Sequence, residues 1–338
     1  MDKYEKILGG ILGAAVGDAM GAATEMRTTE QIIDYFGGYV KELVNPPADT
    51  FAKGNAAGQV TDDFSLAYFI SEAIIRHRGE VTEAVVMEGL IEWSEHDEYF
   101  VPFAGPTTRA AITAWKENGV PVASDMILNN GRATNGSAMR MFPIGLIRPG
   151  DLDRAIEDAV VASLPTHGNH LSISGACAVA AAVSRAMQDD ADVDEIVFAG
   201  LYGAKQGERR GKEFGITVAG PSVYKRMELA IDLAAKSGSV YEAMRDIADY
   251  VGSGIHVAEA VPAAFGLFVA AKGDTMETIY GGVNIGNDTD TVATIAGAIA
   301  GTLNGSRSLP ESYLSIINER NKMDLGRLAK GLHQVSGG

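Results

Sequence analysis

The sequence reads as an all-α protein built as one domain over residues 1–338. Three observations carry this. Helical periodicity recurs along nearly the whole chain, and the alternating runs a sheet needs survive only as scraps such as Phe142-Pro-Ile-Gly-Leu-Ile, itself open to a helical reading. Glycine, at 40 residues, falls inside several helical runs. A glycine costs about 1 kcal/mol in a helix interior, so its repeated use points to helix backbones lying close together. No low-complexity linker, composition shift or internal repeat divides the chain.

The elements follow in order. Met1-Asp-Lys-Tyr-Glu-Lys leads into the apolar run Ile7–Gly17, which superficially resembles a secretory leader. Acids mix with bases at its start, and Asp18 interrupts it before a cleavage site. In Gly13, Gly17 and Gly21 the glycines recur every fourth residue, which suits close helix packing and a ligand approach equally well. A long turn-rich loop, Asn45–Gly58, then runs into Thr61-Asp62-Asp63. Phe64–Ile75 sets Leu66, Phe69, Ile70, Ala73 and Ile74 on one helical face, and Val81–Trp93 repeats the pattern with Thr82 as its N-cap. Pro106 opens a further helix at a position where its missing N–H costs nothing. Helices are expected over Leu152–Val161, Leu171–Met187, Val193–Lys205, Ser222–Ala235, Val240–Val251, Pro262–Ala271, Thr275–Gly281 and Thr291–Leu303, with two more near the carboxyl end.

Hydrophobic residues at 46% and charged residues at 21% exclude wholesale disorder. The net charge of −16 disfavours nucleic acid and anionic membrane surfaces as partners. No stretch reaches the roughly 18 apolar residues of a membrane span. The single cysteine, Cys177, sits in an apolar run as a core residue, and a lone thiol fits a reducing compartment. A cytoplasmic protein is expected.

Two acid-rich clusters lie at opposite ends of the chain: Thr61-Asp62-Asp63 and Asp288-Thr289-Asp290-Thr291. Each precedes an apolar helix, so each has a structural reading as an acidic helix start. The helix from Thr291 is apolar all round, which draws its acids inward, and Tyr280–Asn287 offers no Lys or Arg to neutralise them. A divalent cation explains that better. Together the clusters supply four carboxylates and several hydroxyls, the donors that hard cations prefer. A rival reading of Asp288-Thr-Asp290-Thr291 as an aspartyl-phosphatase loop fails, because too few residues follow it to complete a sheet.

Other candidates have bland alternatives. Asp18 reads as structural. Arg140 is expected to pair with a buried acid, and His167 could be a loop histidine bonded to backbone. His96-Asp97 and His256 near Glu259 are further cleft candidates, while Lys205–Lys212 reads as a solvated loop or a phosphate grip.

Five motifs in order, Gly13–Glu25, Thr61-Asp62-Asp63, Asn135-Gly136-Ser137-Ala-Met-Arg140, Thr166-His167 and Asp288-Thr-Asp290-Thr291, resemble those of the ADP-ribosylglycohydrolase family across nearly the whole chain. The resemblance implies an orthogonal bundle of many helices around a binuclear metal cleft holding two Mg2+, with Mn2+ a possible substitute. It implies metal ligands at Thr61, Asp62, Asp63, Asp288, Asp290 and Thr291, and a catalytic carboxyl at Glu25. It also implies substrate contacts from Asn135, Gly136, Ser137 and His167. The expected reaction is hydrolysis of a glycosidic bond in an ADP-ribosylated protein side chain or small acceptor, releasing ADP-ribose. Alternatives are an N-glycosidase acting on a ribosylated small molecule, and a non-catalytic member with a binding or structural role. Two departures from the family pattern, Phe64 and Asn287, are expected to reshape the pocket.

Overall fold

In a computed structural model the described residues are 1–119 and 133–337. They form α-helices joined by turns, with two isolated bridges, Thr134–His256 and Asn169–Ile216, and no strand. In chain order the helices are α1 (Lys3–Gly21), α2 (Thr29–Phe36), α3 (Asp62–Arg76), α4 (Glu83–Trp93), α5 (Asp97–Phe103) and α6 (Pro106–Asn118). Next come α7 (Phe142–Ile147), α8 (Leu152–His167), α9 (His170–Ala186), α10 (Val193–Phe214), α11 (Val223–Lys236) and α12 (Val240–Tyr250). The chain closes with α13 (Val257–Ala270), α14 (Thr275–Asn284), α15 (Thr289–Asn304), α16 (Glu311–Asn321) and α17 (Leu325–Val335). None is long and apolar enough to cross a membrane.

The helix starts have local causes. Asp2 accepts from Tyr4 N at α1, Thr82 from Val85 N at α4, and Asp192 forms a reciprocal capping box with Glu195 at α10. Packing then decides the rest. α1 and α15 run antiparallel with backbones in contact: a Cβ on Gly9, Gly13 or Gly17 would overlap the carbonyl oxygen of Gly301, Gly297 or Ala293 respectively. One hydrophobic core runs from Ile7 to Leu332. Cys177 lies fully inside it, where burial holds the thiol protonated.

Several expectations need correction. The basic segment Lys205–Lys212 is not a loop. α10 continues through it to Phe214, because Gly207 and Gly211 seat that stretch against Cys177 and His170 of α9. Thr166 and His167 close α8 instead of sitting in a loop, and α8 carries Pro165 within its last turn. α13 begins at Val257, so Pro262 lies inside it. Phe142–Ile147 takes the helical reading that its sequence left open. The short helices α2 and α5 were not anticipated.

Candidate active site

The α1–α15 contact sets the first part of the site. At Gly21, the last residue of α1, a Cβ would overlap Asp290 Cα, so α1 ends against the first turn of α15. Thr289 Oγ1 donates to Gly21 O at 2.9 Å, and Thr24 Oγ1 donates to Val283 O at 2.6 Å. The turn carrying Glu25 is stitched to the loop before α15: Met26 N donates to Asn287 O at 2.7 Å, and Asn287 N to Arg27 O at 2.8 Å. Asn287 has a φ of 65°. That left-handed conformation is one asparagine tolerates where glycine is the usual choice, so this departure preserves the loop.

The second part is the start of α3. Thr61 is its N-cap residue but makes no side-chain cap. Fully buried Asp18 of α1 does this instead, accepting from Thr61 N at 2.9 Å, Thr61 Oγ1 at 2.7 Å and Phe64 N at 2.8 Å. The cap aims the first turn of α3, with Asp62 and Asp63, at α15. Thr291 Oγ1 donates to Asp63 Oδ1 at 2.6 Å across 228 positions of sequence. The two acidic clusters therefore meet. Phe64 points the other way, fully buried and stacked on Phe142, so it does not line the cleft.

One oxygen from each of Glu25, Asp288 and Asp290 lies within 4.8 Å of the others, a group that could hold a metal ion. Asp62 and Asp63 share the same cleft. Burial, followed by neighbouring carboxylates, pushes Glu25 up to about 8 and Asp62 up to about 8, and raises Asp63 and Asp290 well above the usual carboxylate range. Asp288 is raised too, mainly by burial, while the Asn135 amide, donating to its Oδ2 at 2.6 Å, works the other way. The donor set is all oxygen, and no ion pair reaches any of these five acids among the described residues. Mutual repulsion among acids that no salt bridge balances is the condition a hard divalent ion relieves.

Arg140 departs from its expected ion pair. It is buried and donates from Nη2 to Thr166 Oγ1 at 2.7 Å, while Nε and Nη1 have no partner. Burial pulls the guanidinium down to about 10, and the charge of Asp62 works against that.

The cleft over the acids holds about 460 Å3. Its polar wall is Glu25, Asp62, Asp63, Asp288, Asp290 and Thr291, joined by Thr134, Asn135, Gly136 and His167. The Pro102–Thr108 segment, Phe51, Met139 and Ile255 complete the lining, with Met139 Sδ 3.9 Å from Thr291 Oγ1. Of the residues expected at the site, two do not present side chains to the cleft. Ser137 is fully buried and donates to Ser172 O at 3.4 Å, so its side chain faces away from the cleft. Thr61 sits behind Asp63 with its hydroxyl on Asp18. His96 and His256 are not in the cleft wall: His96 packs on Phe69 beside Glu98, and His256 caps α13 by accepting from Ala258 N. Sequence reasoning missed the apolar lining residues Phe51 and Ile255, because they carry no motif.

A family model described as ADP-ribosylglycohydrolase matches residues 1–338. The chain belongs to the ADP-ribosylglycohydrolase family. It is 30% identical over 335 residues to the uncharacterized protein YegU of Escherichia coli (strain K12), covering 98% of this chain and 97% of that one. It is 25% identical over 350 residues to ADP-ribosylhydrolase ARH3 of Homo sapiens, covering 97% and 92%. A solved structure titled ADP-ribosylglycohydrolase-related protein complex aligns over 99% of both chains with a TM-score of 0.71 at 22% identity, a likeness of fold. As a member of this family the chain is a hydrolase acting on glycosidic bonds.

Proposed function

We propose that the cleft takes the ADP-ribose portion of an ADP-ribosylated protein side chain or small acceptor and hydrolyses the bond at the anomeric carbon. The observation that carries this is the meeting of the two acidic clusters, through Thr291 and Asp63, beside Glu25 in a cleft lined by both polar and apolar residues. Asp62, Asp63, Asp288, Asp290 and Thr291 would hold two Mg2+ or Mn2+ ions, with Thr61 supporting Asp63. Glu25 is close enough to Asp288 and Asp290 to share in that task. When bound, the cations orient the ribose diol and polarise the reacting centre as Lewis acids.

The chain's own groups do the rest. The Glu25 carboxyl, pushed up to about 8 before a cation joins it, moves the proton, taking it from the attacking water or giving it to the leaving group. Positive charge grows at the anomeric carbon as the bond breaks, and the surrounding carboxylates favour it. Asn135 holds Asp288 in place through its amide. Exposed Phe51 and Ile255 offer apolar surface against which a base can lie.

The test is release of free ADP-ribose from arginine-linked and serine-linked conjugates. Release should vanish in chelator and return with Mg2+ or Mn2+. A protein that releases nothing from either conjugate with both ions present, and binds no ADP-ribose, overturns the reading and leaves the non-catalytic alternative.

A further inference from the structure

Arg140 is a buried cation that the reaction above does not use. A guanidinium has five N–H donors and no acceptor, and burying one without matching acceptors is costly. Arg140 is 2% exposed, with Thr166 Oγ1 as its one hydrogen-bond partner among the described residues. The next link is short: Thr166 Oγ1 lies 2.8 Å from His167 Nδ1, and His167 Nε2 lies 2.9 Å from Thr134 Oγ1.

Along these described contacts, one arrangement of protons gives the Thr166 hydroxyl both an acceptor and a donor role. Arg140 can only donate, so the Thr166 oxygen accepts. The Thr166 hydrogen then needs an acceptor, and His167 Nδ1 is at hydrogen-bond distance. A ring that accepts at Nδ1 carries its proton on Nε2, and that N–H reaches Thr134. The ring cannot easily swing away, because a Cβ on Gly136 would already stand 2.8 Å from Nε2, so the Asn135-Gly136 backbone lies against it. With Thr134 Oγ1 accepting from the histidine, its own hydrogen is free for an oxygen in the cleft.

We propose that Arg140 is a positioning residue which, through the Thr166 hydroxyl, holds His167 as the Nε2–H tautomer and so makes Thr134 a hydrogen-bond donor into the cleft. The ligand chemistry this selects is an acceptor oxygen of the ribose or phosphate portion. In the opposite tautomer Thr134 would donate to the ring and meet that oxygen with lone pairs. The role in substrate binding rests on the function proposed above, whereas the tautomer does not.

The experiment uses the full chain labelled with 15N-histidine and long-range 1H–15N spectra, with His167→Gln identifying its signals among the six histidines. The parent should show a protonated Nε2 and an unprotonated Nδ1 at His167. Arg140→Met should mix or reverse that signature, Arg140→Lys should restore it in large part, and Thr166→Val, which keeps Arg140, should reproduce the loss. In steady-state kinetics Arg140→Met should raise KM about tenfold with kcat little changed, the pattern of a lost contact made equally in ground and transition states. A folded Arg140→Met or Thr166→Val protein with the parent signature overturns the proposal. Should Arg140→Met fail to fold, Thr166→Val alone decides. A protein that is inert on every conjugate yet shows these spectral changes overturns the functional reading and leaves this one standing.

Discussion

Adding Mg2+ to metal-free protein should raise its melting temperature, and more so at about pH 8 than at about pH 6. Asp18 is pushed up to about 6 and Glu25 and Asp62 to about 8, with Asp63, Asp288 and Asp290 also raised. All therefore lie above the unfolded carboxylate range near 4. Between about pH 4 and pH 8 the folded chain keeps protons that the unfolded chain has released, so stability falls as pH rises through that window. One extra proton held over two pH units corresponds to about 2.7 kcal/mol. The acids titrate as a coupled group, so this belongs to the cluster as a whole. Unfolding 338 residues at about 2.1 cal/mol/K each carries an entropy of about 0.7 kcal/mol/K, so 1 kcal/mol moves Tm by about 1.4 °C. The metal-free Tm should thus drop by about 4 °C between pH 6 and pH 8. A cation at 100 times its Kd returns about 2.7 kcal/mol, again about 4 °C, by replacing protons that the cluster holds less well at the higher pH. Scanning calorimetry in chelator and in Mg2+ at both pH values measures this. Asp290→Asn should remove the Mg2+ shift while leaving the metal-free protein at least as stable as the parent, since it deletes one repelling charge at constant volume. A metal-free Tm that is flat or rises with pH, or an Asp290→Asn protein with the full Mg2+ shift, refutes the reasoning.

Two further outcomes follow from individual contacts. Glu25→Gln should lower kcat by about 10²–10⁴-fold in single-turnover release of ADP-ribose, with little change in Tm. Asp18→Ala strips the acceptor from Thr61 N, Thr61 Oγ1 and Phe64 N. It should cost about 1–3 kcal/mol by denaturant titration and weaken the Mg2+ response, because the first turn of α3 loses its aim.

Much of the helical layout could be read from the sequence, because apolar stripes at three- and four-residue spacing mark α3 and α4, while α9 and α15 are long runs of small and aliphatic residues buried almost all round. What escaped had physical reasons. α10 runs through Glu208-Arg209-Arg210-Gly211-Lys212, whose charge and glycine look loop-like until one sees Gly211 pressed against His170. α5 has seven residues, too few for a stripe, and includes Pro102. The acids of the site were legible as clusters, since a buried apolar helix behind Asp290 needs a cation to excuse the charge. Their partners were not. Nothing local to Asn135 announces Asp288, and nothing local to Arg140 announces Thr166 in place of an acid; both contacts are set by the way α8 and α15 pack.

The contact between α1 and α15 connects stability to the site, and two glycines on one stripe separate those effects. At Gly13 a Cβ would overlap Gly297 O, well away from the acids. Gly13→Ala should therefore force the helices apart at a cost of about 1–3 kcal/mol, occasionally more, or about 1.4–4 °C, with the Mg2+ shift intact. At Gly21 the overlap falls on Asp290 Cα and N and on Thr289 C, the backbone that carries a proposed ligand. Gly21→Ala must displace the first turn of α15 or the Glu25 turn that is bonded to it, and either movement changes the spacing of Glu25, Asp288 and Asp290. Its Tm loss should resemble that of Gly13→Ala, but its Mg2+ shift should shrink or vanish. Overpacking alone predicts equal Mg2+ shifts in the two variants. A Gly21→Ala protein with the parent's full shift would therefore show that the close approach of α1 serves only packing, and that the acids are positioned by α3 and α15 without it.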